Sequence, residues 1–225
     1  MSFFDFAWQW LTTAGHWSGS NGVPARLLEH VEYTALALVI AAVIALPAGV
    51  VIGHTGRGSL AVVSVANIWR ALPTLGLLVL AFILSGGAAW AWVIPLVVLA
   101  IPPIMVTTHE GVRGVDADLK DAAAGMGMTS PQVISKVEIP VALPLILLGL
   151  RTATIQVVAT ATIAAYISLG GFGRYILDGL ATNNYGLVAA GAVCVVVLAL
   201  VVQFAFTGLA RLIVPPGLRQ RTRQS

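Results

Sequence analysis

The sequence predicts an all-α membrane protein with about five spanning helices, and three observations carry that expectation. First, 58% of its 225 residues are apolar and 9% charged, with a mean hydropathy of +0.94. Soluble proteins carry roughly a quarter of their residues as charges, so the twelve Lys and Arg and nine Asp and Glu here are too few to coat a water-facing surface. Second, five stretches with at most one charge reach the roughly 20 residues that a helix needs to cross hydrocarbon. Third, the charges gather in one polar loop and beside the apolar stretches. This composition excludes a secreted domain, a cytosolic enzyme and a nucleic-acid-binding module. The pI near 9.4 and net charge of +3 come from dispersed basic residues that make no stripe, so the expected surroundings are lipid, with no nucleic acid. A lone Cys194 in an apolar run excludes a disulfide framework and a Cys-based metal site.

Residues 1–25 have no basic region followed by a long apolar core, so they are not expected to be a signal peptide. Phe3, Phe4, Phe6, Trp8, Trp10 and Trp17 among Ser, Thr and Gly suit either an interfacial helix at headgroup level or a loosely ordered tail. The first span is expected over Tyr33 to Ile52 and the second over Leu60 to Leu84, with Arg70 its one charge. The third runs from Ala88 to about Thr108. The fourth follows Glu138 to about Leu169 with Arg151 its one charge, and the fifth covers Tyr185 to Ala210. Pro47, Pro95, Pro102 and Pro103 are expected to kink their helices. The remainder, 212–225, reads as a basic tail.

Basic residues beside the spans give the orientation. With the N-terminus outside, the inner side holds Arg57, Arg113, Lys120, Lys136, Arg211, Arg219, Arg221 and Arg223, and the outer side only Arg26 and Arg174. The positive-inside rule selects that arrangement, places the C-terminus in the cytoplasm, and puts Trp90 and Trp92 at the outer interface.

The polar loop, 109–140, holds Glu110, Arg113, Asp116, Asp118, Lys120, Asp121, Lys136 and Glu138. Its pattern predicts a two-helix cytoplasmic knob: Asp116 or Asp118 caps a first helix, Gly125 and Gly127 break it, and Thr129 or Ser130 caps a second with Pro131 in its first turn. Within it stand Asp121-Ala122-Ala123, Gly127 four residues further on, and Val137-x-Ile139-Pro140 after nine more positions.

This spacing resembles the E-A-A, G, I-x-L-P motif of permease subunits of binding-protein-dependent ABC importers, with Asp for Glu, Val for Ile and Ile for Leu. The resemblance implies a type I ABC importer transmembrane domain over 26–211. It also implies that Asp121, Ala122, Ala123, Gly125, Gly127 and Pro140 couple the spans to a separate ABC ATPase subunit. The small alanines permit close approach, the glycine permits a sharp turn, and closure of the ATP-bound dimer passes to the spans as a rigid-body motion. ATP would be bound by that partner, with no cofactor in this chain.

Four runs narrow the resemblance: Ala66-Asn67-Ile68-Trp69-Arg70-Ala71-Leu72-Pro73-Thr74-Leu75, Gly114 through Met128, Lys136 through Pro144, and Gly149-Leu150-Arg151-Thr152-Ala153, with Gly170-Gly171-Phe172-Gly173 before the outer loop. They are similar to permeases for glycine betaine, choline and carnitine, although that branch often has a polar Gln or Thr where this chain has Arg70-Ala71. The same architecture serving an amino acid or another small solute is the alternative. The resemblance further implies an extracytoplasmic substrate-binding protein, a second permease copy, identical or similar, and residence in a bacterial inner membrane.

A charge inside a span costs roughly 2.5–3.5 kcal/mol on insertion scales. Arg70 therefore reads, with Asn67, as lining the solute path or gating it near a kink at Pro73, or else as pairing within the bundle or snorkelling inward. Arg151 reads as snorkelling or pairing with Glu138 or Glu110. Thr152, Gln156 and Thr160 share one helix face, with Gln156 and Thr160 as path candidates beside a packing role. His16, His30, His54 and His109 show no ligand spacing, and neither a nucleophile constellation nor a phosphate-binding Gly loop is present. An intramembrane enzyme is disfavoured because no expected span carries an acid. One asymmetric loop among five spans disfavours a secondary carrier.

Overall fold

The computed structural model describes residues 3–60, Val62, Ser64, Ile68 and 73–215. All regular structure among them is helical: α1 (Phe3–Thr12), α2 (Val23–Thr55), α3 (Thr74–Leu84), α4 (Val93–Arg113), α5 (Ala117–Gly125), α6 (Ser130–Val133), α7 (Ile139–Thr160), α8 (Phe172–Ala181) and α9 (Tyr185–Ile213). Short 3₁₀ turns occupy Ala14–Trp17, Ala89–Trp92 and Ala161–Ile167, and a π turn occupies Ile134–Glu138.

Four of the helical runs, Val23–Thr55, Trp90–Arg113, Ser130–Ile167 and Tyr185–Ile213, are long and apolar enough to span a bilayer. Each corresponds to an expected span and runs past it at one end or both, where helix persists into the polar flanks, although the second starts at Trp90 and the third ends at Ile167, two residues inside the expected limits. Proline does not stop them: Pro47, Pro102, Pro103 and Pro144 lie inside continuing helices, as is tolerated where neighbours satisfy the freed carbonyls. The expectation of one helix over 60–84 needs correction. Ser59, Leu60, Val62, Ser64 and Ile68 are helical, but Pro73 is extended (φ −70°, ψ 111°) and serves as the N-cap of α3. Proline offers no N–H, which suits it to the cap position from which α3 starts. Asn67 and Arg70 lie outside the described residues.

The chain divides into two compact units. One comprises Met1–Val39, Leu72–Leu99 and Thr154–Val202, the other Ile40–Ala71, Ala100–Ala153 and Gln203–Ser225.

In the first unit α1 is a packed helix rather than a tail. Trp10 stacks on His16 with ring centroids 4.0 Å apart and meets Tyr175 at 5.0 Å, while Phe6 lies 6.5 Å from Tyr185. Phe4 and Trp8 face outward, 75% and 71% exposed. Burial pushes the Tyr175 phenol up to about 12, so it keeps its proton and donates to the Asn21 carbonyl at 2.7 Å. The Gly170–Gly173 run is pinned by α2: Gly171 N–H donates to Glu29 Oε2 (2.7 Å), Gly170 N–H to Tyr33 Oη (3.3 Å) and Phe172 N–H to His30 Nδ1 (3.3 Å). His30 is wholly buried and its Nε2 lies 2.9 Å from the Val158 carbonyl. These partners assign a neutral ring with the proton on Nε2.

In the second unit α2 and α4 meet through a small-residue face. A Cβ at Gly49 would lie 2.8 Å from Thr108 Cβ, and one at Gly53 would lie 2.8 Å from Val112 Cβ. This small-xxx-small spacing brings backbones together where the hydrophobic effect supplies no drive between helices. Val112, Ala142 and Ile146 form a buried cluster with Leu46, Val50, Ile139 and Leu150 packed around it.

Candidate functional site: the polar loop and its anchors

The polar loop belongs wholly to the second unit. Asp116 is the N-cap of α5, its carboxylate accepting the Asp118 N–H at 3.0 Å. Asp118 adds a negative charge in the first turn, where the helix dipole favours it. The helix closes in a Schellman motif: Met128 N–H donates to the Ala123 carbonyl (3.1 Å) and Gly127 N–H to that of Ala124 (2.9 Å). Gly127 has φ +82°, a conformation in which a side chain would strain against its own backbone. Gly127 therefore makes the turn. Gly125, expected to share that work, is the last residue of α5 and still helical.

Burial sorts the motif residues. Ala123 is 2% exposed and packs into the unit. Asp121, Ala122, Gly125 and Gly127 are exposed, beside Leu119 and Met126 at 47% and 72%. A Cβ at Gly125 would have no heavy atom within 4 Å. The outcome is a low, mainly apolar surface at the end of α5, one that another chain can approach closely.

The second helix of the loop is not the separate piece expected. Thr129 is its N-cap, with the Thr129 N–H donating to Gln132 Oε1 at 2.8 Å and Pro131 in the first turn. From there α6 continues through the π turn into α7, one helical run from Ser130 to Ile167. In the π turn the Ile139 N–H reaches the Ile134 carbonyl. That wider register carries the helix past Pro140, which has no N–H to give and whose ring would crowd the carbonyl four residues earlier. Pro140 thus lies in the helical run leading into α7, apart from the α5 surface.

Beneath this surface lies a cluster that the sequence reading did not assemble. Glu138 is completely buried. One carboxylate oxygen lies 2.8 Å from His54 Nδ1, at the end of α2, and the other 3.0 Å from Lys120 Nζ on α5. Lys120 also donates to the Val112 carbonyl in α4 at 3.3 Å. His54 Nε2 meets Ser130 Oγ at 2.8 Å, so a His54 tautomer protonated on Nδ1 serves both neighbours, donating to Glu138 and accepting from Ser130. Nearby in sequence, Ser59 joins His109 Nε2 at 3.0 Å and the Arg113 guanidinium. Arg151, expected to pair with Glu138 or Glu110, pairs with neither among the described residues, because Lys120 and His54 occupy Glu138. The available signal was a lone acid inside the apolar Val137–Pro140 run. Its partners, 18 and 84 positions away in the chain, gave none.

Of the path candidates, Pro73, Gln156 and Thr160 fall in the first unit. Pro73 is exposed, and Gln156 and Thr160 are half-buried.

A chain whose described residues form only helical regular structure, with several membrane-length helices and a polar helical projection before one of them, has the architecture of an ABC-importer permease. It is similar to the MetNI methionine ABC transporter solved in inward-facing conformations. One crystal form gives a TM-score of 0.73 at 24% identity, covering 84% of this chain and 95% of that one. A second form gives 0.71 at 26%, covering 84% and 94%. The chain belongs to the family of binding-protein-dependent transport system inner membrane components, whose pattern matches residues 33–215. It is therefore a transport permease and a multi-pass membrane protein.

Relatives include the choline transport system permease protein OpuBB of Bacillus subtilis (strain 168), 32% identical over 87% of this chain and 90% of that protein. The glycine betaine/carnitine/choline transport system permease protein OpuCB of the same strain is 34% identical over 85% and 88%. The carnitine transport permease protein OpuCB of Listeria monocytogenes is likewise 34% identical over 85% and 88%.

Proposed function

We propose that this chain forms the membrane passage of an ATP-driven importer for a compatible solute such as glycine betaine, choline or carnitine. The observation that carries this reading is the agreement among relatives: three permeases at 32–34% identity, aligned over at least 85% of this chain, are named for these solutes. Glycine betaine, choline and carnitine share a quaternary ammonium group, and this reading leaves its capture to an extracytoplasmic binding protein. The permease then supplies a passage together with a second permease copy, in a bacterial inner membrane, with the N-terminus outside and the C-terminus inside.

ATP is bound and hydrolysed by a separate subunit, and this chain carries no cofactor. That subunit docks on the end of α5, where Asp121, Ala122, Gly125 and Gly127 lie exposed, while Ala123 seats the helix and Pro140 lies in the run that carries the motion onward. In support, the surface combines small residues, a fixed turn and open space above Gly125. Asn67, Arg70, Pro73, Gln156 and Thr160 are proposed to line the path, residues 26–211 forming the transmembrane domain.

Reconstitution with its cognate ATPase and binding protein tests the solute class. Labelled glycine betaine, choline or carnitine should accumulate on addition of ATP. Accumulation of an amino acid in their place would move the chain to the alternative substrate class.

A further inference from the structure

The ion-paired cluster beneath α5 has no part in the motif as the sequence presents it, yet it joins four segments: the ends of α2 and α4 through His54 and Val112, α5 through Lys120, and the π turn before α7 through Glu138. A carboxylate excluded from water requires compensating charge and hydrogen bonds, and removing one partner leaves an uncompensated buried group. Here each oxygen of Glu138 has its own partner from a different helix. Lys120 immediately precedes the exposed Asp121 of the docking surface, and Glu138 ends the turn that carries helix into the span.

We infer that Glu138 is a positioning residue for energy coupling: with Lys120 and His54 it locks the docking helix α5 to the helices it must drive, so that displacement of α5 is transmitted rather than absorbed. The inference rests on the reading of α5 as the ATPase-docking surface and adds to it the group that transmits the motion.

Its test compares ATP hydrolysed per solute imported, in proteoliposomes holding the whole complex. Glu138→Gln keeps the shape and removes the charge, and should raise that ratio by about tenfold, within the usual span of a coupling between sites, while the ATPase still co-purifies. Lys120→Gln, at a position where a side chain is a quarter exposed and thus less prone to misfold, should raise it likewise. The double variant should be no worse than either single one, because both act on one pair. An unchanged ratio in both single variants, whether their activities stay normal or fall together with abundance, overturns the inference. Gly127→Val is the control for the underlying reading: if it leaves ATPase association intact, the docking assignment itself fails, whatever the Glu138 variants do.

Discussion

Around His30 the partners are main-chain atoms, whereas around Glu138 they are side chains. His30, Glu29 and Tyr33 of α2 bond the backbone of Val158 and of Gly170–Phe172, which fixes the shape of a glycine-rich loop. Glu138 instead bonds His54 and Lys120, and through them reaches Ser130 and Val112. Both clusters bury polar groups in an apolar chain and join separate helices, but main-chain partners also fix the course of the Gly170–Phe172 backbone, while the second cluster ties helix to helix chiefly through side chains. The first arrangement suits a part that keeps its form. The second suits one that moves as a body under load.

Breaking the second cluster should have the larger effect. Glu138→Ala strands Lys120 and His54 and is expected to cost about 3–5 kcal/mol, measured as a lowered unfolding midpoint of the purified protein in detergent. His30→Ala removes two buried hydrogen bonds and should cost less, about 1–3 kcal/mol, and should leave ATP consumed per solute unchanged. A His30 variant that uncouples the transporter would erase the contrast. Smaller again, Gly127→Ala meets no neighbour within 4 Å and costs only its left-handed backbone, about 1–2 kcal/mol, yet ATPase co-purification should drop with it. Least of all in stability is Gly125→Trp, which projects into open space. It should shift stability by under about 0.5 kcal/mol while blocking the docking surface.

What was legible in the sequence was whatever is encoded locally. Asp116, Thr129 and Pro131 announce helix starts because capping is a matter of a few consecutive residues, and the four long spans follow from composition alone. Gly125 and Gly127 look alike in sequence, but only the one placed at positive φ ends the helix. Pro73 read as a kink because periodicity does not separate a bent helix from a broken one. The run from α6 into α7 was hidden by the π turn, whose one-residue register change leaves hydrophobic spacing nearly intact. Glu138 was the hardest: an acid at the edge of an apolar stretch looks solvated until the fold brings His54 and Lys120 to it.

The most direct measurement is ATP-driven uptake of glycine betaine, choline or carnitine into proteoliposomes by the complete importer, wild type against Gly125→Trp at equal abundance. Uptake in the wild type that requires the ATPase and is lost with Gly125→Trp is the expected result. Uptake that persists with Gly125→Trp, or that proceeds without the ATPase, would contradict it.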